Sequence, residues 1–181
     1  SSLRRQSQLR ARYPELVLLP LRGNVGTRLR KLDAGDYDAI ILAAAGLNRL
    51  GAADRATRLL PPTESIPAPG QGALTIEIRS DRADLIPLLA PLAHRQTTLC
   101  VRAERAFSRA LAGSCNLPLG AYASIQDGRL RLLGFVASAD GAQVLKGETE
   151  GEPEQPDALG TALARELKAR GADALIALAQ S

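Results

Sequence analysis

The chain has 181 residues, 45% of them hydrophobic, with a formal charge of +4 and a sequence pI near 9.5. That is enough apolar chain for one or two packed domains, and it excludes a disordered polypeptide. Aromatic residues are 3% and Trp is absent, so stacking platforms for single-stranded nucleic acid are nearly missing, while the basic balance suits an anionic partner, nucleic acid or a small polycarboxylate.

Ser2 is placed to cap a helix running to about Arg12, ended by Pro14. Arg4 and Arg5 then fall in its first turn, where the helix dipole disfavours cations unless an anion sits beside them. Leu16 to Leu21 is a continuous apolar run and predicts a buried parallel strand. Arg22-Gly23-Asn24-Val25-Gly26-Thr27-Arg28 follows, with Asn24 or Thr27 as the cap of a helix from Arg28 to Ala34 that Gly35 stops. A strand, a Gly-containing turn and a helix start form an anion pocket, here flanked by Arg22 and Arg28.

Tyr37 to Ala44 predicts a second buried strand, and Ala45 to Gly51 a short helix with Arg49 near its start. Two such units predict an α/β domain with parallel strands, whose ligands bind outside the carboxyl ends of the strands. Pro61-Pro62 closes this region. Pro67, Pro69, Gly70 and Gly72 then mark a crossover that feeds an alternating strand, Leu74 to Arg79, with no evident partner sheet.

Residues 83–93 read as helix interrupted by Pro87 and Pro91. A strong helix over 96–112 repeats Leu99, Ala103, Phe107 and Ala110, and Gly113 ends it. Strands follow near 119–125 and 130–138, joined by the hairpin signal Asp127-Gly128, and a third over 143–149. Helices over 156–170 and 172–179 complete a small α+β domain. The domains are therefore 1–66, a crossover at 67–92, and 93–181.

The chain has two cysteines. Cys100 shares a helical stripe with Ala103 and Phe107 and reads as a core residue. Cys115 lies in the loop Gly113 to Gly120, where a thiol is open to chemistry, although an incidental loop cysteine reads the same way. Two free thiols fit a reducing compartment, the cytoplasm. The cysteines and His94 make no metal-ligand set, no apolar run spans a bilayer, and no signal peptide opens the chain.

Five motifs occur in order: Ser1-Ser2-Leu3-Arg4-Arg5, Arg22 to Leu29, Leu42 to Leu47, Pro69-Gly70-Gln71-Gly72-Ala73 and Gly113-Ser114-Cys115. Together they resemble the porphobilinogen deaminase (hydroxymethylbilane synthase) family over essentially the whole chain. The resemblance implies a periplasmic-binding-protein-like second domain with a parallel-rich, incomplete sheet. A small α+β third domain with a three-stranded antiparallel sheet follows it. It implies a transferase of tetrapyrrole and haem biosynthesis that joins four porphobilinogen molecules head to tail and releases ammonia at each addition. A dipyrromethane cofactor, held by a thioether to Cys115, would prime the growing polypyrrole. Arg4, Arg5, Arg28 and Ser2 would contact the cofactor, and Arg22, Arg28 and Arg49 the substrate carboxylates. The acidic catalyst would lie in a first domain, so no residue here is assigned to it, and the 181-residue piece alone is expected to be inactive; a monomer is what the resemblance implies for the family. The resemblance implies no metal, nucleic-acid or membrane partner. A non-catalytic α/β anion-binding module is the alternative reading.

Overall fold

The computed structural model describes residues 2–111 and 117–180. The chain runs through α1 (Leu3–Arg12), α2 (Val25–Asp33), α3 (Ala44–Arg49), α4 (Ile86–Leu89), α5 (Arg95–Ala110), β1 (Leu119–Gln126), β2 (Arg129–Ala137), β3 (Val144–Gly151), α6 (Pro156–Ala169) and α7 (Ala172–Gln180).

The C-terminal half follows its sequence pattern closely. The strands form one antiparallel sheet in the order β1-β2-β3. Asp127 and Gly128 both take positive φ, 49° and 76°, as a two-residue hairpin turn demands. Helices α5, α6 and α7 cover one face of the sheet, around buried Phe107, Leu130, Leu132, Leu163 and Leu167. Gly134 and Gly147 are cross-strand partners. A side chain on Gly134 would strike the Phe107 ring, and one on Gly147 would strike Leu163. This glycine pair is a trough that lets α5 and α6 approach the sheet. The helices also meet each other closely: a Cβ on Gly160 of α6 would sit 2.8 Å from both the Phe107 nitrogen and the Ala106 Cβ.

The N-terminal half corrects the sequence reading. The runs 16–21, 37–44 and 74–79 are not strands, and Ala44 instead opens α3, so no parallel sheet forms among the described residues. A strand needs a neighbour to satisfy its backbone groups, and among the described residues no neighbouring backbone completes a ladder here. The Tyr37 hydroxyl donates to the Pro20 carbonyl at 2.8 Å, tying the first two runs together by a side chain instead. Val17 and Leu74, both meant for a sheet face, are each 82% exposed. Residues 83–92 form two single 3₁₀ turns around the four-residue α4. Pro87 and Pro91 fall at the starts of these pieces, where a missing N–H costs least.

The two halves meet at the sheet face opposite α5 and α6. Ile66 packs there with Phe135 and Ala137. A Cβ on Gly120 would reach the Pro67 carbonyl oxygen at 2.7 Å, so only glycine admits this segment. Helix α1 lies alongside, with Ser7 fully buried against Gly141.

Candidate functional site

The first turn of α1 builds the centre of the site. Ser2 holds the N-cap position with an extended backbone, and its carbonyl accepts from the Arg5 and Gln6 N–H groups. Its hydroxyl makes no capping bond, which departs from the expected cap. No acidic residue occupies the first turn. Arg4 and Arg5 therefore sit where the dipole is positive with no carboxylate on the same turn.

Each arginine is fixed by a few bonds. Arg4 Nη1 donates to the Ile66 carbonyl and Nη2 to Gln71 Oε1, both at 3.1 Å. Arg5 Nη1 donates to the Ile41 carbonyl at 3.0 Å. Burial, and secondly the charge of Arg5, pulls the Arg4 guanidinium down to about 10, still cationic at neutral pH. Burial, and secondly Arg28, also lowers Arg5. Arg4 thus feels Arg5, and Arg5 feels Arg28. Among the described residues none of Arg4, Arg5, Arg22, Arg28 or Arg49 forms an ion pair with a carboxylate, while Arg12, Arg55, Arg58 and Arg102 do.

Arg28 sits in α2, which starts three residues earlier than its pattern suggests, because Asn24 takes the cap and accepts from Thr27 N–H at 2.8 Å. Arg28 Nε turns back onto the Gly23 carbonyl at 2.8 Å. Gly23 has φ 115°, and a Cβ there would stand 2.9 Å from the Thr27 methyl, so the turn before α2 requires glycine. The start of α3 adjoins it: a Cβ on Gly46 would be 3.4 Å from Val25.

Behind Arg4 and Arg5 opens a cavity of about 570 Å³ lined by Tyr13, Ile40, Leu42 and Leu47 among others. Its apolar wall suits an aromatic or aliphatic body; of its four arginines, Arg55 and Arg58 are paired with Asp33 and Glu64, and Arg4 and Arg5 suit an incoming carboxylate. The structure thus brings together Arg4, Arg5 and, through its field, Arg28. Arg22 and Arg49 do not line this cavity. Arg49 is the last residue of α3, not near its start, because the helix begins at Ala44 and is only six residues long.

Three polar residues of the site escaped the sequence reading. Gln8 of α1 is buried; its Nε2 donates to the Ile66 carbonyl at 3.1 Å and its Oε1 accepts from Ile66 N–H at 2.8 Å. Gln71 receives Arg4. Glu104 of α5 is buried and accepts from Gly70 N–H at 2.6 Å and from Ala123 N–H at 2.8 Å. Burial raises the Glu104 carboxyl above its ordinary range, and the two N–H groups pull it back. A glutamate inside the apolar stripe of α5, between Ala103 and Phe107, was the available signal.

Cys100 is half-buried against the core, and burial first, then the charge of Glu104, raises its thiol. A thiol held protonated is a poor nucleophile. Cys115 lies outside the described residues, between the end of α5 and buried Leu117. Among the described residues no His, Cys, Asp and Glu cluster could hold a metal, and no helix is long and apolar enough to cross a membrane.

Two family models match the chain. The porphobilinogen deaminase, dipyrromethane cofactor binding domain matches residues 1–87, and the porphobilinogen deaminase, C-terminal domain matches residues 98–169. Porphobilinogen deaminase of Chromobacterium violaceum is 59% identical over 177 residues, 98% of this chain and 57% of that protein. The same-named protein of Thiobacillus denitrificans is 60% identical over 176 residues, 97% of this chain and 58% of that protein. The chain thus spans under two thirds of these relatives. With both halves matched in order, and with paired arginines on the cavity of the cofactor-binding half, the chain belongs to the porphobilinogen deaminase family.

Proposed function

We propose that the complete protein to which this chain belongs is a hydroxymethylbilane synthase, a transferase of tetrapyrrole biosynthesis. It condenses four porphobilinogen molecules head to tail, releases ammonia at each addition, and holds the growing polypyrrole. The observation that carries this reading is the Arg4–Arg5–Arg28 cluster, half-buried, with Arg5 repelled by Arg28 and Arg4 by Arg5, and unpaired with any described carboxylate. Such a cluster is costly when empty and favourable once it binds a polycarboxylate.

The residues present fit a dipyrromethane. Arg4 and Arg5 present guanidinium groups to its acetate and propionate carboxylates, and the apolar wall beside them accepts the pyrrole rings. When bound, the group supplies a nucleophilic pyrrole carbon for chain growth. Cys115 is the proposed tether, and Ser2 and Arg28 are further contacts. Arg22, Arg28 and Arg49 are assigned to substrate carboxylates; for Arg22 and Arg49 the support is the family resemblance. Each arginine–carboxylate bond contributes about 1.5–3 kcal/mol once solvent is excluded.

Residues 1–66 are proposed as the second domain and 93–181 as the third. Residues 67–92 return toward the first domain. In the complete protein the runs 16–21 and 37–44 join a parallel-rich, periplasmic-binding-protein-like sheet, and 74–79 joins the first domain's sheet. The exposure of Val17 and Leu74 supports this assignment. A cytoplasmic monomer is the proposed state.

Intact mass of the complete protein tests the reading. The unsubstituted protein is expected to carry a dipyrromethane adduct, and Cys115→Ser to lose both adduct and bilane formation. An adduct that persists in Cys115→Ser moves the tether elsewhere. Full ligand affinity with no adduct in either protein would favour a non-catalytic anion-binding module.

A further inference from the structure

We propose that Glu104 is a positioning residue for Arg4, acting through the turn at 68–71. The inference rests on the reading of Arg4 as a carboxylate-binding residue. The turn is free of side-chain restraint at Gly70, with φ 73°, and just beyond it at Gly72, with φ 93°. Glu104 removes that freedom from the α5 side. One carboxylate oxygen takes the Gly70 N–H at 2.6 Å and the other takes the Ala123 N–H of β1 at 2.8 Å. The turn lies beside α5, since a Cβ added on Gly70 would stand 3.8 Å from Val101. Gln71 follows directly, with Oε1 accepting from Ala68 N–H at 3.4 Å and from Arg4 Nη2 at 3.1 Å.

An exposed glutamine cannot hold an arginine in one orientation unless its own backbone is fixed. The backbone here is fixed by a buried carboxylate on a helix of the other domain. The second anchor of Arg4, the Ile66 carbonyl, is set by Gln8 and does not depend on Glu104. Losing Glu104 therefore costs Arg4 one of two anchors, and the loss of function is partial. Glutamine at 104 keeps the volume but offers a single acceptor oxygen, so only one of the two N–H groups stays paired.

The test is a double-mutant cycle in the complete, cofactor-carrying protein, with porphobilinogen as substrate. Adduct occupancy at Cys115 by intact mass and the urea midpoint are read alongside. Glu104→Gln is expected to lower kcat/KM about tenfold with Arg4 present, and less than about twofold in an Arg4→Lys background. Equal losses in both backgrounds, or no loss in the first, overturn the proposal, because a merely structural glutamate gives additive effects. If Glu104→Gln does not fold, Gln71→Leu cuts the same connection at the surface and the cycle is read with it. The two levels of inference fail differently. An unsubstituted protein without adduct and without turnover refutes the functional reading and this proposal with it. An active, adduct-bearing protein with additive losses refutes the positioning role alone.

Discussion

Replacing Gly160 by alanine probes a close contact between α5 and α6. Gly160 of α6 faces the backbone of α5, and an added Cβ would lie 2.8 Å from both the Phe107 nitrogen and the Ala106 Cβ, and nearer still to the Ala103 carbonyl oxygen. None of these is the end of a flexible side chain. Ordinary contact begins near 3.4 Å, so α5 and α6 must separate by at least roughly 0.6 Å. A gap of that size forfeits about a quarter of the dispersion well for each pair it opens, and the pairs here belong to buried Phe107, Leu163 and Leu167. Overpacking of this kind costs about 1–3 kcal/mol, and the backbone on the receiving side sets the upper end. Alanine returns roughly 1 kcal/mol through helix propensity. The net expectation is about 2 kcal/mol of lost stability. The assay is urea denaturation at constant m, comparing midpoints. An unchanged or raised midpoint would refute the reasoning, because propensity alone would then decide. Ala103 precedes Glu104, so the same substitution should also disturb the bond to Gly70.

Gln8→Leu leaves the buried Ile66 N–H without its partner, while the carbonyl keeps Arg4, and should cost about 1–3 kcal/mol. Limited proteolysis should find faster cleavage near 61–72, and equal cleavage rates would count against the clamp. Glu104 also sets a pH dependence. Its carboxyl is raised above 4.5 in the folded chain, so the folded state keeps this proton to higher pH than the unfolded chain. Its contribution to stability is therefore greatest below pH 4.5 and declines as pH rises through the raised value. Subtracting the urea midpoints of Glu104→Gln from those of the parent should give a difference that falls over that window, and a rising difference would contradict the assigned direction.

The C-terminal half was legible nearly residue by residue because its signals are local. Asp127-Gly128 encodes its own turn, and Leu99, Ala103 and Phe107 encode one helix face. The N-terminal runs carried an equally clear apolar pattern, yet they form no sheet among the described residues. Apolar content reports that a segment is suited to burial between layers, but a ladder also needs a neighbour's backbone. Arg4 and Arg5 were legible as an oddity, two cations against a helix dipole, and their lack of acidic partners bears on it directly. Arg49 was misplaced because α3 starts one residue earlier and ends two residues earlier than its pattern suggests, which leaves Arg49 as its last residue. Gln8 and Gln71 were invisible because a polar side chain shows nothing of its burial or partner until the chain has folded, whereas Glu104 betrayed itself only by its place in an apolar stripe.

The segment around Pro67 has a further consequence for the sheet it crosses. Along the outer side of β1, the Ala121 N–H is taken by the Pro67 carbonyl at 3.1 Å and the Ala123 N–H by Glu104. Those donors would otherwise offer a template to an extended segment of another molecule. The opposite margin, β3, is guarded by alternating Lys146, Glu148 and Glu150, which repel or desolvate poorly against a flat partner. A three-stranded sheet thus resists self-association at both margins by different means. On the β1 side, the turn that orients an arginine belongs to the segment that also keeps the fold from aggregating.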